Sequence, residues 1–267
     1  MNELDELVTA VLAAGKYQHI SPELVRQVGA EELGKRPRLK EAVKATKNKL
    51  HQISGAYFTA NIDYEAALAR LEEGQRRGAE AQQAALVEVM RLHASTRERL
   101  DILAEFYATT LAGLPPIHSV LDVACGLNPL ARPWMPLAAE AIYRAYDVYA
   151  DMMAFLAAYF ALAGIPGQAE VRDVAAAPPT EPVDLALVLK TLPVLAQLDK
   201  TAVPRLLDSL QARYLLISFP VQSLGGRLKG MAVNYEAQFA AWTAGRGWDV
   251  DKFEFENELV FLVGTRN

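Results

Sequence analysis

A short apolar run that ends in a glycine turn constrains the fold of this chain more than any other stretch. The run spans residues 120–123, is rich in β-branched side chains, and is closely followed by Gly126. Such a run predicts a strand buried in a parallel sheet. Asn128 and Pro129 favour a helical start, because Asn caps helices and Pro suits the first helical position. The stretch therefore predicts a strand that ends in a tight glycine turn, followed by a helix start whose backbone N–H groups point outward. This geometry fits a nucleotide-like ligand at the carboxyl edge of a sheet.

Strands and helices alternate from this point to the end of the chain. Apolar runs predict strands at 119–124, 141–146, 169–172, 184–189 and 214–219. Helical spacing predicts helices at 152–162 and 201–210, and the tail at 252–263 predicts two antiparallel strands at a sheet edge. The alternation as a whole predicts a doubly wound, Rossmann-like α/β sheet.

The amino-terminal part of the chain has helical rather than strand periodicity. A Ser-Pro-Glu start at residues 21–23 predicts one helix, and a capping-box pattern at residues 95–98 predicts the beginning of a long helix. The pattern changes near a Pro-Pro pair at residues 115–116. The sequence therefore predicts an all-helical domain at 1–112 and a sheet domain at 113–267.

Composition excludes several classes of protein. Half of the 267 residues are apolar, which favours a large core over disorder. The single cysteine, Cys125, excludes a disulfide framework and a Cys-rich zinc site, and we expect no metal. The sequence shows neither a secretory leader nor an apolar run of membrane-spanning length, so we expect a soluble, cytoplasmic protein without a membrane partner.

A basic segment stands out in a chain whose formal net charge is −5. Between Lys35 and Lys49 there are seven basic residues and one acid. Four of the basic residues are predicted to form one stripe beside the apolar face of a helix: Arg36, Lys40, Lys44 and Lys47. An ordinary solvated helix face is the simpler interpretation, but the density of charge favours contact with phosphates, which would position a nucleic acid without specifying a base.

Two acids at strand ends narrow the choice of ligand. Asp147 follows the second predicted strand, 21 residues after Gly126, and can accept hydrogen bonds from ribose hydroxyls. Asp173 follows the third strand and can hold an adenine amino group. Leu127 and Asn128 follow the glycine, so the G-x-G-x-x-G fingerprint of dinucleotide binding is missing and S-adenosylmethionine is favoured. The alternative is that both acids only cap the next helices.

Four segments closely resemble the aminoglycoside-resistance 16S rRNA (guanine(1405)-N(7))-methyltransferases. They are KLHQISGAY at 49–57, HASTRERL at 93–100, LDVACGLNPL at 121–130 and SFPVQSLGGRLKGM at 218–231. The resemblance implies a class I S-adenosylmethionine-dependent methyltransferase fold with a helical amino-terminal extension that docks on the 30S subunit. The implied reaction is methylation of guanine N7 at position 1405, in helix 44 of the assembled 30S subunit. The implied consequence is resistance to gentamicin- and kanamycin-class drugs.

The resemblance also implies roles for individual residues. Those expected around the cofactor are His93, Ser95, Arg97, Ala124, Gly126, Asp147, Asp173, Val174, Leu189 and Lys190. Those expected to position the target nucleotide are Lys190, Arg227, Lys229 and Met231. Those expected to bind RNA are Arg36, Lys40, Lys44, Lys47, Arg227 and Lys229. Arg97 is expected on the methionine carboxylate of the cofactor, whereas the flanks of Asp147 depart from the family pattern. By composition alone, the loop at 225–230 favours an ordinary solvated turn.

The implied chemistry needs few protein groups. Guanine N7 carries a lone pair and no proton, so its methylation requires no general base, and alignment and desolvation can supply the catalysis. A base inside a folded ribosomal helix must first be extruded. A monomer is expected, and the cofactor product is S-adenosyl-L-homocysteine. Two other functions fit the same fold: a small-molecule methyltransferase, and a non-catalytic RNA- or ribosome-binding protein.

Overall fold

Seven strands form one sheet in the computed structural model, which describes residues 2–36, 38–54, 62–221 and 231–265. The strands are β1 (Ser119–Val123), β2 (Ile142–Asp147), β3 (Gly167–Val171), β4 (Val183–Leu189), β5 (Ala212–Pro220), β6 (Asp249–Glu254) and β7 (Glu258–Gly264). Their spatial order is β3-β2-β1-β4-β5-β7-β6, and β7 is antiparallel to both of its neighbours. The predicted doubly wound parallel sheet with an antiparallel edge is confirmed.

Helices account for the regular structure before the sheet and for most connections within it. The first seven are α1 (Glu3–Leu12), α2 (Pro22–Lys35), α3 (Leu39–Ser54), α4 (Tyr64–Arg77), α5 (Ala79–Met90), α6 (Ala94–Arg99) and α7 (Leu103–Thr110). The others are α8 (Ala150–Ala163), α9 (Leu192–Leu198), α10 (Ala202–Ser209) and α11 (Met231–Thr243). None of the helices in the described ranges is long and apolar enough to cross a membrane.

The amino-terminal helices pack in two different ways. Helices α1 to α3 contribute to a separate apolar cluster that includes Leu7 and Leu50. Helices α4, α5 and α7 instead pack on the sheet, where Leu86 and Phe106 share a core cluster with Leu127. A division of the chain at residue 113 stays a prediction, and the helices nearest that point share their core with the strands.

The connection between α1 and α2 touches the sheet beside the end of β2. Ile20 forms an isolated antiparallel bridge with Tyr149. The Ser21 N–H donates to the Val148 carbonyl at 2.7 Å, and the Ala150 N–H donates to the His19 carbonyl at 2.8 Å. These backbone bonds hold the first turn of α2 over the carboxyl ends of the strands.

The prediction of one long helix from the capping-box pattern is wrong. Helix α6 has six residues, and a 3₁₀ turn at Leu100–Ile102 separates it from α7. The cap residue of α6 is His93 rather than Ser95, and it makes no side-chain capping bond. The Glu98 carboxylate, which a capping box would turn back to the helix start, is instead paired with the ammonium of Lys190.

The predicted helical cap at Asn128 is also wrong. The turn that follows is a 3₁₀ helix at Asn128–Trp134 without a side-chain cap. The Asn128 side chain is buried, and its Oδ1 accepts hydrogen bonds from the Tyr107 hydroxyl at 2.6 Å and the Arg99 guanidinium at 3.1 Å. Its Nδ2 donates to Asp122 at 2.9 Å. Asn128 therefore links α6 and α7 to β1, a long-range role that local capping statistics do not reveal.

Candidate cofactor-binding site

A cavity lies at the carboxyl ends of β1, β2 and β4, where a doubly wound sheet binds its ligands. The space it encloses, including its open mouth, is about 760 Å³. Nine of the ten residues predicted around the cofactor line it: His93, Ser95, Ala124, Gly126, Asp147, Asp173, Val174, Leu189 and Lys190. Their contact with a cofactor stays a prediction, but the structure brings them to one space.

The glycine turn after β1 is tight and requires its glycine. Gly126 has a φ of +52°, and a Cβ there would lie 2.7 Å from Cε1 of His93. Ala124, two residues earlier, also has a φ of +52°. A non-glycine residue in the left-handed region is uncommon and strained, and such residues concentrate at functional sites. The turn brings the backbone close to the cavity, where a side chain at residue 126 would displace the imidazole.

Asp147 is held by backbone donors at the end of β2. Its Oδ2 accepts from the Gly126 N–H at 2.9 Å and its Oδ1 accepts from the Val148 N–H at 2.7 Å. Burial raises the pKa of Asp147 to about 6, although these hydrogen bonds oppose the shift. Helix α8, which begins three residues later, has Tyr149 at its cap and no side-chain capping bond. Capping of α8 therefore does not explain Asp147.

Asp173 lines the cavity and has one carboxylate oxygen without a hydrogen-bond partner in the described part of the chain. Its Oδ1 accepts from the Ala175 N–H at 2.9 Å and the Ala176 N–H at 3.4 Å, as a turn-capping residue does. Its Oδ2 is buried and has no hydrogen-bond partner among the described residues. Burial raises the pKa of this carboxyl. A buried oxygen without a donor is costly, so Oδ2 is suited to an amino group that a ligand brings.

His93 adds no charge to the wall. It is buried at the start of α6, and its Nδ1 lies 2.9 Å from the Ser95 hydroxyl. Burial, together with the nearby positive charges of Lys190 and Arg97, lowers the pKa of His93 to about 3. The imidazole is therefore neutral at physiological pH.

Lys190 reaches the same wall from the end of β4 in a strained conformation. Its φ is +59°, and its N–H donates to the Ser218 carbonyl at 2.9 Å. Its buried Nζ lies 2.7 Å from Glu98 Oε2 and 3.5 Å from Glu258 Oε2. The sequence did not indicate that these two acids pair with Lys190. Its local pattern predicts a capping role for Glu98, and Glu258 belongs to an apolar edge strand.

Arg97 is the one predicted cofactor residue that does not line the cavity. Its guanidinium donates to the Arg91 carbonyl at 3.3 Å, and its role on a methionine carboxylate stays a prediction. Arg172, which was not predicted, does line the cavity. Its guanidinium lies 4.1 Å from the ring centroid of Tyr146 and 2.9 Å from the Glu181 carboxylate. Its position beside Asp173 at a strand end is a signal that sequence reasoning could have used.

The apolar wall of the cavity comes from helices that the sequence did not connect with the site. Leu24 on α2 lines it, together with Val194, Leu195 and Leu198 on or near the end of α9. Helical periodicity marks such residues as core positions but does not indicate which cavity they face. The amino-terminal helices therefore form part of the cavity as well as a separate cluster.

The basic stripe is shorter than predicted. Lys40, Lys44 and Lys47 recur at helical spacing on α3, with the first two exposed and the third half-buried. None of the three forms an ion pair with a described residue. The placement of Arg36 on this helix is wrong, because it caps α2 in an extended conformation and pairs with the buried carboxylate of Glu32.

The remaining predicted site residues are those expected to position the target nucleotide. Arg227 and Lys229 lie outside the described residues, and Met231 is the first residue of α11. Within residues 2–36, 38–54, 62–221 and 231–265, no cluster of His, Cys, Asp and Glu side chains could hold a metal ion.

Comparison with known proteins agrees with this geometry. A family model described as ribosomal RNA methyltransferase (FmrO) matches residues 13–262. A 16S rRNA (guanine(1405)-N(7))-methyltransferase of Frankia casuarinae is 40% identical over 268 residues, covering 97% of this chain and 93% of that protein. A protein of the same name from Micromonospora echinospora is 35% identical over 265 residues, covering 98% and 97%.

Solved structures extend the likeness to three dimensions. The 16S rRNA methyltransferase RmtF, in complex with S-adenosyl-L-homocysteine, superposes with a TM-score of 0.85 at 32% identity and 99% coverage of both chains. The 16S rRNA methylase RmtB superposes with a TM-score of 0.83 at 30% identity, covering 100% of this chain and 99% of that one. The fold is that of class I S-adenosylmethionine-dependent methyltransferases, and the chain belongs to the ribosomal RNA methyltransferase (FmrO) family.

Proposed function

We propose that this protein transfers the methyl group of S-adenosylmethionine to N7 of guanine 1405 in 16S rRNA, and thereby gives resistance to aminoglycosides. One observation carries the proposal: the cavity at the strand ends holds two buried acids, and one of them has an oxygen without a donor. The named relatives carry this activity in their names, and RmtF binds the reaction product S-adenosyl-L-homocysteine in its crystal structure.

The residues of the cavity fit the cofactor. S-adenosylmethionine supplies an electrophilic methyl group on a positively charged sulfur. Asp147 would bind the ribose hydroxyls, because its carboxylate lies beside the glycine turn. Asp173 would accept a hydrogen bond from the adenine amino group through its unpaired Oδ2. The tight turn at Gly126 lets the backbone approach the ligand.

No proton transfer is needed for the methyl step. The lone pair of guanine N7 attacks the methyl carbon directly, and the bond from that carbon to sulfur breaks. The nearby groups agree with this chemistry, since His93 is neutral and buried. Cys125 is buried, and burial raises the pKa of its thiol well above its usual value, so it is not a nucleophile. The protein's contribution is to align and desolvate the two reactants.

The assembled 30S subunit is the proposed substrate, with helix 44 at the site of reaction. Lys40, Lys44 and Lys47 on α3 support this proposal, because three cations on one helix face, none paired with a described residue, match a phosphate backbone. Such contacts position the protein and do not select the base. We propose that the protein acts as a monomer in the cytoplasm, where ribosomal subunits are found.

The decisive experiment is methyl transfer from labelled S-adenosylmethionine to purified 30S subunits and to protein-free 16S rRNA, with the modified nucleotide mapped. Label at N7 of guanine 1405 on subunits, but not on free RNA, supports both the reaction and the folded substrate. A variant with Lys40, Lys44 and Lys47 changed to Gln should lose transfer while it keeps cofactor affinity. Unchanged transfer in that variant would contradict docking through α3.

The same experiment, combined with binding assays for S-adenosylmethionine and for 30S subunits, separates the two alternative functions. Cofactor binding without label on subunits would favour a small-molecule methyltransferase. Binding to subunits without cofactor affinity would favour a non-catalytic ribosome-binding protein. Each outcome would overturn the proposed reaction.

A further inference from the structure

Four charged side chains form a cluster behind the cavity wall. The Arg99 guanidinium makes two hydrogen bonds to the Glu258 carboxylate, at 2.6 Å and 3.1 Å. The Lys190 ammonium lies 2.7 Å from Glu98 Oε2 and 3.5 Å from Glu258 Oε2. Three of the four side chains are buried, and the Glu98 side chain is 31% exposed. The cluster joins α6, the end of β4 and the start of β7.

The cluster is electrically balanced, with two cations and two anions. Arg99 and Lys190 hold the pKa of Glu258 below its usual range although burial acts in the opposite direction, so this carboxylate is charged. Glu98 is the closest counter-charge of the Lys190 ammonium, at 2.7 Å. Glu258 lies farther away, at 3.5 Å, and is shared with Arg99. A buried ammonium without counter-charges would be strongly unfavourable.

Lys190 differs from Arg99 because it also lines the cavity, together with Asp147 and Asp173. S-adenosylmethionine carries a positive charge on sulfur, whereas the product S-adenosyl-L-homocysteine is a neutral thioether. Charges interact more strongly in a partly buried site than in bulk water, so an ammonium without a counter-charge would repel the cationic substrate and not the neutral product. Neutralisation of Lys190 therefore affects the two ligands differently.

We propose that Glu98 and Glu258 neutralise the Lys190 ammonium at the cavity wall and thereby set the preference of the site for cationic S-adenosylmethionine over neutral S-adenosyl-L-homocysteine. The inference rests on the proposed function, since it requires the cofactor in this cavity. It assigns positioning and electrostatic roles to two acids that the expected cofactor contacts do not include. The readout is the ratio of two affinities, which a general loss of structure would leave unchanged.

The test is calorimetric titration of both ligands into wild type, E98Q, K190M and the double variant E98Q/K190M. E98Q leaves the ammonium without its nearest counter-charge, so the dissociation constant for S-adenosylmethionine should rise about tenfold while that for the product changes little. K190M leaves an excess of negative charge, so the ratio should shift in the opposite sense. The double variant should return toward the wild-type ratio. Glu105→Gln is the matched control, because Glu105 is exposed on α7 and does not line the cavity.

Opposite shifts in the two single variants support the inference, because a loss of packing cannot change the sign of a preference. Equal weakening of both ligands, or shifts in the same sense, would overturn it. If one single variant does not fold, the sign of the shift in the other still decides. A wild-type protein that binds neither ligand would overturn the proposed function together with this inference, whereas normal wild-type binding with an unchanged ratio would overturn the inference alone.

Discussion

The two ends of the cavity are constructed differently. At the end that contains Asp147 and Asp173, backbone N–H groups hold each carboxylate, most of them from the next few residues of the chain. At the other end, Lys190 is held by side chains far away in sequence, 92 residues away for Glu98 and 68 for Glu258. The first end depends on strand–turn geometry, and the second depends on the packing of α6 against the sheet. Substitutions at the two ends should therefore fail in different ways.

The largest expected effect is on stability at the charged end. Glu258→Gln leaves the buried guanidinium of Arg99 with a neutral partner, and breaking a buried ion pair in this way costs about 3–5 kcal/mol of unfolding free energy. Urea denaturation followed by circular dichroism measures the loss. Glu254→Gln is the control, since Glu254 is exposed on the neighbouring strand and pairs with Lys252 at the surface. Equal denaturation midpoints for the two variants would contradict a structural role for the buried pair.

Gly126→Ala should produce the largest loss of cofactor affinity at the other end. The new Cβ would lie 2.7 Å from the imidazole of His93, and the backbone has a φ of +52°. Displacement of the imidazole added to the backbone strain should weaken S-adenosylmethionine binding about a hundredfold. The control is Gly164→Ala, because Gly164 has a φ of +62° and open space around it. If both variants bind the cofactor equally well, the close approach to His93 has no importance for the site.

Asp173→Asn should have a smaller and more selective effect. The amide keeps an oxygen for the turn but presents an N–H₂ group, or a weaker neutral acceptor, where Oδ2 now lies unpaired. Loss of one hydrogen bond to a charged acceptor should reduce affinity for S-adenosylmethionine about thirtyfold. Stability should not fall, because burial raises the pKa of this carboxyl and so its charge is unfavourable in the folded protein. A fall in unfolding free energy with unchanged affinity would indicate that Asp173 is only a cap.

The contrast between the two ends also explains what could be predicted from the sequence. Periodicity and turn chemistry predicted the sheet, its antiparallel edge, the acid at the end of β2 and the acid after β3, because those features are determined by local residues. The same local rules misassigned Asn128 and Glu98 as capping residues. Asn128 instead accepts hydrogen bonds from Arg99 and Tyr107, and Glu98 pairs with Lys190. These partners are distant in sequence, and no local pattern records such contacts. Leu24 was missed for a similar reason, since only the packing of α2 against the sheet brings it to the cavity.

The pH dependence of cofactor affinity should show the smallest effect and should report on Asp147. Burial raises the pKa of this carboxyl to about 6, so it is mostly protonated at pH 5 and mostly ionised at pH 7. The ionised form accepts hydrogen bonds from ribose hydroxyls, and affinity for S-adenosylmethionine should therefore rise about tenfold between these two pH values.

The raised pKa of Asp147 has the opposite consequence for folding stability. The folded state binds more protons than the unfolded state between about pH 4 and pH 6, so the contribution of Asp147 to stability falls as pH rises through this range.

A second buried acid provides the internal comparison. Burial raises the pKa of Asp122 to about 7, although Asn128 and Tyr143 donate hydrogen bonds to its carboxylate. Asp122 does not line the cavity, so its titration should change stability more than affinity. Calorimetric titrations of wild type and Asp147→Asn from pH 5 to pH 8 separate the two acids. The rise in affinity should disappear in Asp147→Asn, and a rise that persists there would assign the titration to another group and leave Asp147 without a role in cofactor affinity.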